Sequence, residues 1–425
     1  MKHLLIISYF FPPLGGPGVQ RAQKFVKYLP EFGWEPIVLT VKKVEYIAYD
    51  ESLLKEIPDT EIYRTETLDP MRLLYFGEKL RKKKKRLYET TNTSIKNLVR
   101  SIFPIDSKIG WIPFALSKGS EIIKSYPIKV ILATIGPYTD AIIGYKLAKK
   151  YNLPLILDYR DLWQGSSDIT YFSSLHRKLS FKMEKKILDF ASKIIINTNK
   201  AKRKIQSIFP QVKKQKFTVI YNGWDKNDFK INNRQKNDKL VFTYTGGFYG
   251  NRTPIHFIKA LEALNSENKI PEQVIFRFIG NYPQKIKQIL HNKRLNIQLI
   301  PQVTHQQCIK YLLESDVLLL FIAADKSEIV IPAKVFEYLR AQKPILAMVP
   351  EKGEAAELIK LHNAGYIVNS ENEKEIKRLI SEIIELNKTG NLVKKFNLKK
   401  NDYLAYERKT LTQNLADILT KYAKN

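Results

Sequence analysis

The sequence predicts an α/β protein made of two successive doubly wound units, each a parallel sheet with helices on both faces. Three observations carry this. Short apolar runs rich in β-branched residues alternate with segments of helical period, the pattern of βαβ units. A strand followed by a glycine-rich loop and a helix occurs twice, once after Leu4–Tyr9 and once after Leu240–Thr245. Between the two series, Asn222–Lys239 is rich in Asn, Asp and Lys without apolar period, and reads as a link. A length of 425 residues suits two or three domains, and 44% hydrophobic residues supply apolar surface for their cores.

Taken in order, the first strand is Leu4–Tyr9. Its apolar run could pass for a leader, but Pro12-Pro13 and a glycine-rich loop follow it and no small-residue cleavage region does. Strands are then expected at Pro36–Val41, Val130–Thr134, Pro154–Asp158, Lys193–Asn197 and Thr218–Tyr221, with helices at Gln20–Phe32, Tyr138–Tyr151 and Ser173–Phe190. The second series runs Leu240–Thr245, Val274–Ile279, Ile297–Ile300, Val317–Ile322, Ile345–Met348 and Gly365–Val368. Its helices include Pro254–Leu264, Pro283–His291, Thr304–Glu314 and Pro332–Arg340. Leu411, Leu415, Ile418 and Leu419 recur at helical spacing in Tyr403–Tyr422. The expected domains are therefore 1–222, a linker 223–239, 240–390 and a C-terminal helical segment 391–425. Ligands of such sheets gather at the C-terminal ends of the strands, which predicts a cleft between the two units.

Charge narrows the partners. With 71 Lys and Arg against 42 Asp and Glu the chain is formally +29, which calls for a polyanion: nucleic acid, an anionic membrane surface or phosphorylated substrates. Residues 71–130 hold 14 basic and 4 acidic side chains, centred on Lys79–Arg86. Apolar clusters flank that centre, Leu73-Leu74-Tyr75-Phe76 and Leu98, Val99, Ile102 and Phe103, and a second block, 191–216, has eight basic residues and no acid. Cations beside Leu, Tyr and Phe suit a lipid interface; a solvated helix face is the plainer alternative. No recognisable nucleic-acid motif surrounds them, so nucleic acid is not expected as a partner. No apolar run reaches the ~18–20 residues of a membrane span. The single Cys308 excludes a disulfide framework and a cysteine-built zinc site.

Four constellations could carry chemistry. Gly15, Gly16 and Gly18 lie between the first strand and its helix, where glycines let backbone approach a phosphate and the helix N-terminus offers free N–H groups; a tight crossover turn would look the same. In Asp158-Tyr159-Arg160-Asp161-Leu162-Trp163 the strand ends at Asp158, so Arg160 and Asp161 fall on a ligand-side loop. That cluster could hold a hydroxylated acceptor, or simply stiffen the loop through an Arg–carboxylate pair. The second glycine loop runs from Thr245 through Gly246 and Gly247 to Arg252, with Pro254 near the start of its helix. Arg252 there can add a full cation to backbone donors, as a leaving diphosphate requires. In Pro332-Ala333-Lys334-Val335-Phe336-Glu337, Lys334 and Glu337 share a helix face: lysine suits phosphate and glutamate a ribose diol, though a surface ion pair has the same spacing. The six histidines show no His-x-x-x-His spacing, no Gly-x-Ser-x-Gly elbow occurs, and metal is not expected.

Together these blocks make the chain resemble a family-four glycosyltransferase of the two-Rossmann GT-B architecture, of the bacterial surface-polysaccharide type. The resemblance spans roughly residues 1–385. It rests on the start through Gly15-Gly16 and Gln20-Arg21; on Ile156–Trp163 with Val219–Gly223; and on Pro332-x-Lys334-x-x-Glu337-Tyr338-Leu339 with Lys343-Pro344. It implies a nucleoside-diphosphate sugar bound mainly by the C-terminal domain and an acceptor, lipid-linked or glycan, on the N-terminal one. It further implies retention of configuration, no required cofactor and a last helix that returns to the first domain. Donor contacts would come from Gly15, Gly16, Gly247, Arg252, Lys334 and Glu337, with Arg252 and Lys334 stabilising the leaving group. Acceptor-side residues would be Asp158, Arg160, Asp161 and Asp140. Two departures stand out. Where many members carry a glutamate eight residues before Glu337 this chain has Ile329, with Glu328 one place off; and Asp140 occupies a position where similar sequences have histidine. The expectation is a cytoplasmic enzyme, peripheral on the inner face of the plasma membrane. A nucleotide-sugar epimerase of the same fold and a non-catalytic polyanion-binding protein are the rivals.

Overall fold

The structure is a computed structural model that describes residues 1–44, 46, 49–57, 59–69, 72, 105–165, 171–229, 239–248, 250–291, 294–323, 328–396, 398 and 401–423. The chain forms two compact units, Met1–Tyr221 with Arg408–Asn425, and Asn222–Glu407.

In the first unit β1 (Lys2–Ile7), α1 (Pro17–Tyr28), β2 (Trp34–Val41), α2 (Ser52–Lys55), β3 (Ile62–Thr65) and α3 (Ile112–Ser125) come first. They are followed by β4 (Ile128–Ile135), α4 (Thr139–Lys150), β5 (Leu155–Tyr159), α5 (Ser174–Phe190), β6 (Lys193–Ile196), α6 (Asn199–Ile208) and β7 (Phe217–Val219). The strands form a parallel sheet in the order β3-β2-β1-β4-β5-β6-β7. Leu4 to Ile7 are fully buried, as an apolar strand covered on both faces must be. β3 has no counterpart among the expected strands. It is an edge strand, half-exposed and interrupted by Arg64, so it lacks the continuous apolar run of its neighbours.

The second unit repeats the plan with β8 (Leu240–Thr245), α7 (Ile255–Ser266), β9 (Val274–Ile279), α8 (Gln284–Leu290), β10 (Ile297–Ile300) and α9 (His305–Glu314). Then come β11 (Val317–Phe321), α10 (Lys334–Ala341), β12 (Ile345–Met348), α11 (Glu354–Leu361), β13 (Gly365–Val368) and α12 (Glu373–Lys388). Its parallel sheet runs β10-β9-β8-β11-β12-β13, the same order as the first six strands of unit one. Phe242, Tyr244, Phe248, Phe257, Phe276 and Phe321 fill its centre with stacked and edge-on rings.

The last helix, α13 (Arg408–Tyr422), packs in the first unit. Leu411, Leu415 and Leu419 join Phe25 and Val26 of α1 in one core, and Trp34 Nε1 donates to Thr420 Oγ1 at 3.3 Å. The return therefore begins at Arg408, not at residue 391 as the sequence suggested. Residues ahead of it are tied to the second unit: Trp224 donates from Nε1 to the Tyr403 carbonyl at 2.9 Å, and Tyr406 lies against His362 and Phe336. The expected linker 223–239 also belongs there at its start, where Trp224, Asp225 and Asp228 are buried. Lys79–Arg86 and its apolar flanks Leu73, Leu74, Tyr75, Phe76, Leu98, Val99, Ile102 and Phe103 lie outside the described residues. Among the described residues no helix is long and apolar enough to cross a membrane.

Candidate active site

In each sheet the strand order reverses direction once, between β1 and β4 and between β8 and β11. Loops leaving the C-terminal ends of such strands diverge and open a crevice. Each unit thus has its own half-site.

In the first, Gly16 stands at the start of α1 with φ 97°, and no side chain caps the helix. The positive end of α1 is left to a ligand or solvent. Arg160, after β5, donates from Nη1 to the Gly18 carbonyl, and its guanidinium lies 5.9 Å from the Phe10 ring. A Cβ on Gly18 would sit 2.5 Å from Nη1, so any larger residue there would push the guanidinium aside. Asp161 is exposed on the same loop.

Asp158 departs from its expected role. It is fully buried, and its two oxygens accept from Arg21 Nε at 3.1 and 2.9 Å and from Nη2 at 2.7 Å. Arg21 also donates to the Tyr221 carbonyl at 2.8 Å. A carboxylate so enclosed by a guanidinium holds β5 to α1 and is not presented to an acceptor. Asp140 is buried in the first turn of α4, where Oδ2 accepts from the Tyr9 N–H at 3.0 Å. Its Oδ1 has no hydrogen-bond partner among the described residues. Burial pushes this carboxyl well above the usual carboxylate range; the Tyr9 bond opposes that, and the charge of Asp106 reinforces it. Asp106 itself accepts from the N–H and the hydroxyl of Thr139, at 2.8 and 2.7 Å. Beneath the Arg160 loop, Trp163 Nε1 donates to Ser180 at 2.8 Å and the Gln164 N–H to Glu184 at 2.9 Å, fastening the loop to α5.

In the second unit the glycine loop after β8 meets the start of α10. Lys334 Nζ donates to the Thr245 carbonyl and lies 4.4 Å from the centre of the Tyr244 ring. Gly246 has φ 114°, and a Cβ there would fall 2.6 Å from Nζ, so the position admits little but glycine. Gly247 accepts from the Tyr244 hydroxyl at 2.9 Å through its carbonyl, which fixes the loop's turn. No side chain caps α10. Burial, and then the nearby charge of Arg252, lower the Lys334 amine to about 7. Arg252 Nε is buried without a hydrogen-bond partner among the described residues. Two cations thus converge beside a glycine loop and an uncapped helix start, an arrangement that favours an anion.

Glu337, one turn on, accepts from or shares a proton with His305 Nε2 at 2.9 Å, while His305 Nδ1 lies 3.7 Å from Asp228. The sequence treated His305 as a scattered histidine and Asp228 as linker. Their partners are distant in sequence, and only the packing of α9 beside α10 brings them together. One local signal existed: Thr304-x-x-Gln307 closes a capping box, which puts His305 in the first turn of a helix. Cys308 follows, its thiol pushed up to about 12 by burial and by the charge of Glu337, which keeps it protonated.

Comparisons with known proteins bear on the fold and the family. The profile described as Glycosyltransferase Family 4 matches residues 19–228, and that described as Glycosyl transferases group 1 matches residues 225–400. No curated protein matches the sequence. Among solved structures, sucrose-phosphate synthase from Thermosynechococcus elongatus superposes with a TM-score of 0.67 at 12% identity, covering 99% of both chains. WaaG, a glycosyltransferase involved in lipopolysaccharide biosynthesis, gives 0.60 at 13%, covering 98% of this chain and 99% of that one. The complex of MnaA from S. aureus with UDP gives 0.55 at 13%, covering 99% and 97%. These likenesses are of fold, and with the two family matches in sequence order they lead to one statement: the chain belongs to the family-four glycosyltransferases, enzymes of GT-B architecture.

Proposed function

We propose that the second unit binds the diphosphate of a nucleoside-diphosphate sugar, that the first unit binds a lipid-linked or glycan acceptor, and that the sugar passes with retention of configuration. The observation that carries this is the convergence of Lys334 and Arg252 at the Gly246–Gly247 loop, two like charges held close where an incoming diphosphate would relieve their repulsion. Breaking the glycosyl–phosphate bond moves charge onto the diphosphate, and preorganised cations and helix amides stabilise that charge as it develops. On this reading the two cations do the work a metal ion would otherwise do. Glu337, oriented by His305, takes the ribose hydroxyls. No protein nucleophile is assigned; the departing phosphate oxygen accepts the acceptor's proton on the same face. Arg160 and the positive end of α1 face the acceptor or the donor's sugar from the first unit, and Asp140, held protonated, can donate a hydrogen bond to a hydroxyl.

The setting we infer is assembly of a bacterial surface polysaccharide at the cytoplasmic face of the plasma membrane. The net charge of +29 supports it, as does the fold shared with WaaG, whose description names lipopolysaccharide biosynthesis. A thermal-shift screen of nucleotide sugars tests the core of the proposal. A donor present at ~100 times its dissociation constant adds about 2.7 kcal/mol of apparent stability. The expected result is a shift with one nucleotide class that Arg252→Ala and Glu337→Ala both diminish. No shift with any nucleoside-diphosphate sugar would overturn it.

A further inference from the structure

Exposed large hydrophobic side chains are not spread evenly over the described residues. Five of the twelve, Phe172, Leu175, Leu179, Phe181 and Phe190, belong to α5 and the turn before it, while the rest lie scattered. The first three are 65%, 62% and 51% exposed; Leu175 and Leu179, four residues apart, form a stripe on one face of α5, and Phe172 stands in the turn just before it. Phe172 meets the His176 ring edge-on at 5.9 Å, while Phe181 and Phe190 lean on Phe209 at 4.8 Å and Tyr145 at 5.1 Å.

Cations border the stripe. Arg177, Lys178, Lys182 and Lys186 are exposed on α5, and the Phe181–Phe209 stack brings α6, with Arg203 and Lys204 exposed at its middle, alongside. From 172 to 216 the chain holds only two acids, Glu184 and Asp189. Glu184 is buried, and Asp189 is paired with Lys185 at 3.1 Å. A soluble helix face would carry charges of both signs or fewer leucines.

We propose that the N-terminal half of α5, through Phe172, Leu175 and Leu179 with Lys178 and Lys182, is a docking surface for an anionic lipid bilayer. The apolar stripe supplies insertion, and the surrounding cations supply attraction to the headgroups; either alone gives marginal binding and the two add. Placement gives the contact a purpose. In a parallel sheet the helix after a strand starts at that strand's C-terminal edge, so the stripe lies at the same edge of this unit as Gly16, Asp140 and Arg160. The Arg160 loop is fastened to the buried face of the same helix through Ser180 and Glu184. A bilayer seated on α5 therefore brings the unit's own crevice to the membrane surface, where the saccharide of a lipid-anchored acceptor would be offered. The inference rests on the proposed lipid-linked acceptor for its purpose, and on exposure and charge for its site.

The test is co-sedimentation with vesicles of phosphatidylglycerol mixed into phosphatidylcholine, against phosphatidylcholine alone. Full-length protein is compared with the doubles Leu175→Ser with Leu179→Ser and Lys178→Glu with Lys182→Glu. Each double is expected to lower partitioning onto the anionic vesicles by roughly tenfold or more, with the melting temperature unchanged. Equal partitioning by the leucine double overturns the proposal. So does loss in the lysine double alone, which would mean a purely electrostatic partner such as nucleic acid. Light scattering in the absence of lipid closes a third route: a dimer that the leucine double dissolves while vesicle binding persists makes the face a contact between copies of the chain and overturns the bilayer. Should vesicle binding behave as expected while no nucleotide sugar shifts the melting temperature, the docking surface stands and the proposed function falls.

Discussion

The two units share a strand order and a device but hold themselves together differently. In both, a glycine just after the first strand is pressed against a cation from farther along the chain: Gly18, at the start of α1, against Arg160, and Gly246, in the loop after β8, against Lys334. Beneath that common feature the first unit is wired with buried charge. Arg21 grips Asp158 and Lys108 reaches Asp69 at 2.5 Å, while a buried protonated carboxyl, Glu184, takes bonds from Tyr159 and Gln164. The second unit is filled with aromatic rings; it also buries Asp225, Asp228, Lys343 and Glu354, while Lys334, Glu337 and His305 at its candidate site keep part of their surface. The difference teaches where substitutions should be felt. Removing Arg21 from the first unit should cost folding, and removing Lys334 from the second should cost chemistry.

Arg21→Ala is the strongest way to break that contrast. It leaves the buried Asp158 carboxyl without its partner, a change that typically destabilises by about 3–5 kcal/mol. Urea unfolding should show the loss, and replacing the pair together, Arg21→Met with Asp158→Leu, should recover much of it. A loss below about 1 kcal/mol for the single change would mean the pair is not structural.

Lys334→Ala should do the reverse. Removing one preorganised contact to a leaving group costs about 3–4 kcal/mol of barrier, or 10²–10³ in kcat, with little change in the unfolding midpoint. Because the free amine titrates at about 7, roughly half of it is neutral at pH 7, and a bound diphosphate draws it back to the charged form. Nucleotide binding should then take up about half a proton at that pH and weaken as the pH climbs further. Calorimetric titration in buffers of different ionisation heat measures the uptake, and Lys334→Ala should abolish it.

A pH probe sharpens the comparison within the first unit. Burial raises Glu184 from 4.5 to about 8, even though Gln164 and Tyr159 both donate to it. The folded form therefore holds a proton that the unfolded chain has released, so stability declines as pH rises between those two values, by up to about 1.4 kcal/mol per unit. Glu184→Gln should flatten that slope in urea melts run near pH 5 and near pH 8. Parallel slopes in both proteins would place the pH dependence elsewhere.

Much of this was legible in the sequence because it is local. Apolar runs such as Leu4–Ile7 and Val317–Phe321 declare buried parallel strands, and Pro332 ahead of Lys334 declares a helix start. What was not legible depends on pairs that only folding brings together. Asp158 looks like a ligand-side carboxylate until Arg21, far earlier in the chain, closes on it; Glu337 looks solvent-ready until His305 meets it. β3 stayed hidden because an edge strand need not be apolar on both faces. The stripe on α5 was hidden for the opposite reason. Leucine at helical spacing reads as core, and only the structure shows which side of the helix was left uncovered.

The late return of α13 has a consequence for how the protein is made. Domains emerging from a ribosome tend to fold in the order of synthesis. Here the first sheet is complete by Val219, yet the α1 face of its core waits for Leu411, Leu415 and Leu419 until the entire second unit has been translated. Throughout that interval Phe25 and Val26 lack their final cover. The unit that begins first is the one that finishes last, and a nascent chain stalled before Arg408 would present a sticky surface to whatever chaperone stands at the tunnel exit.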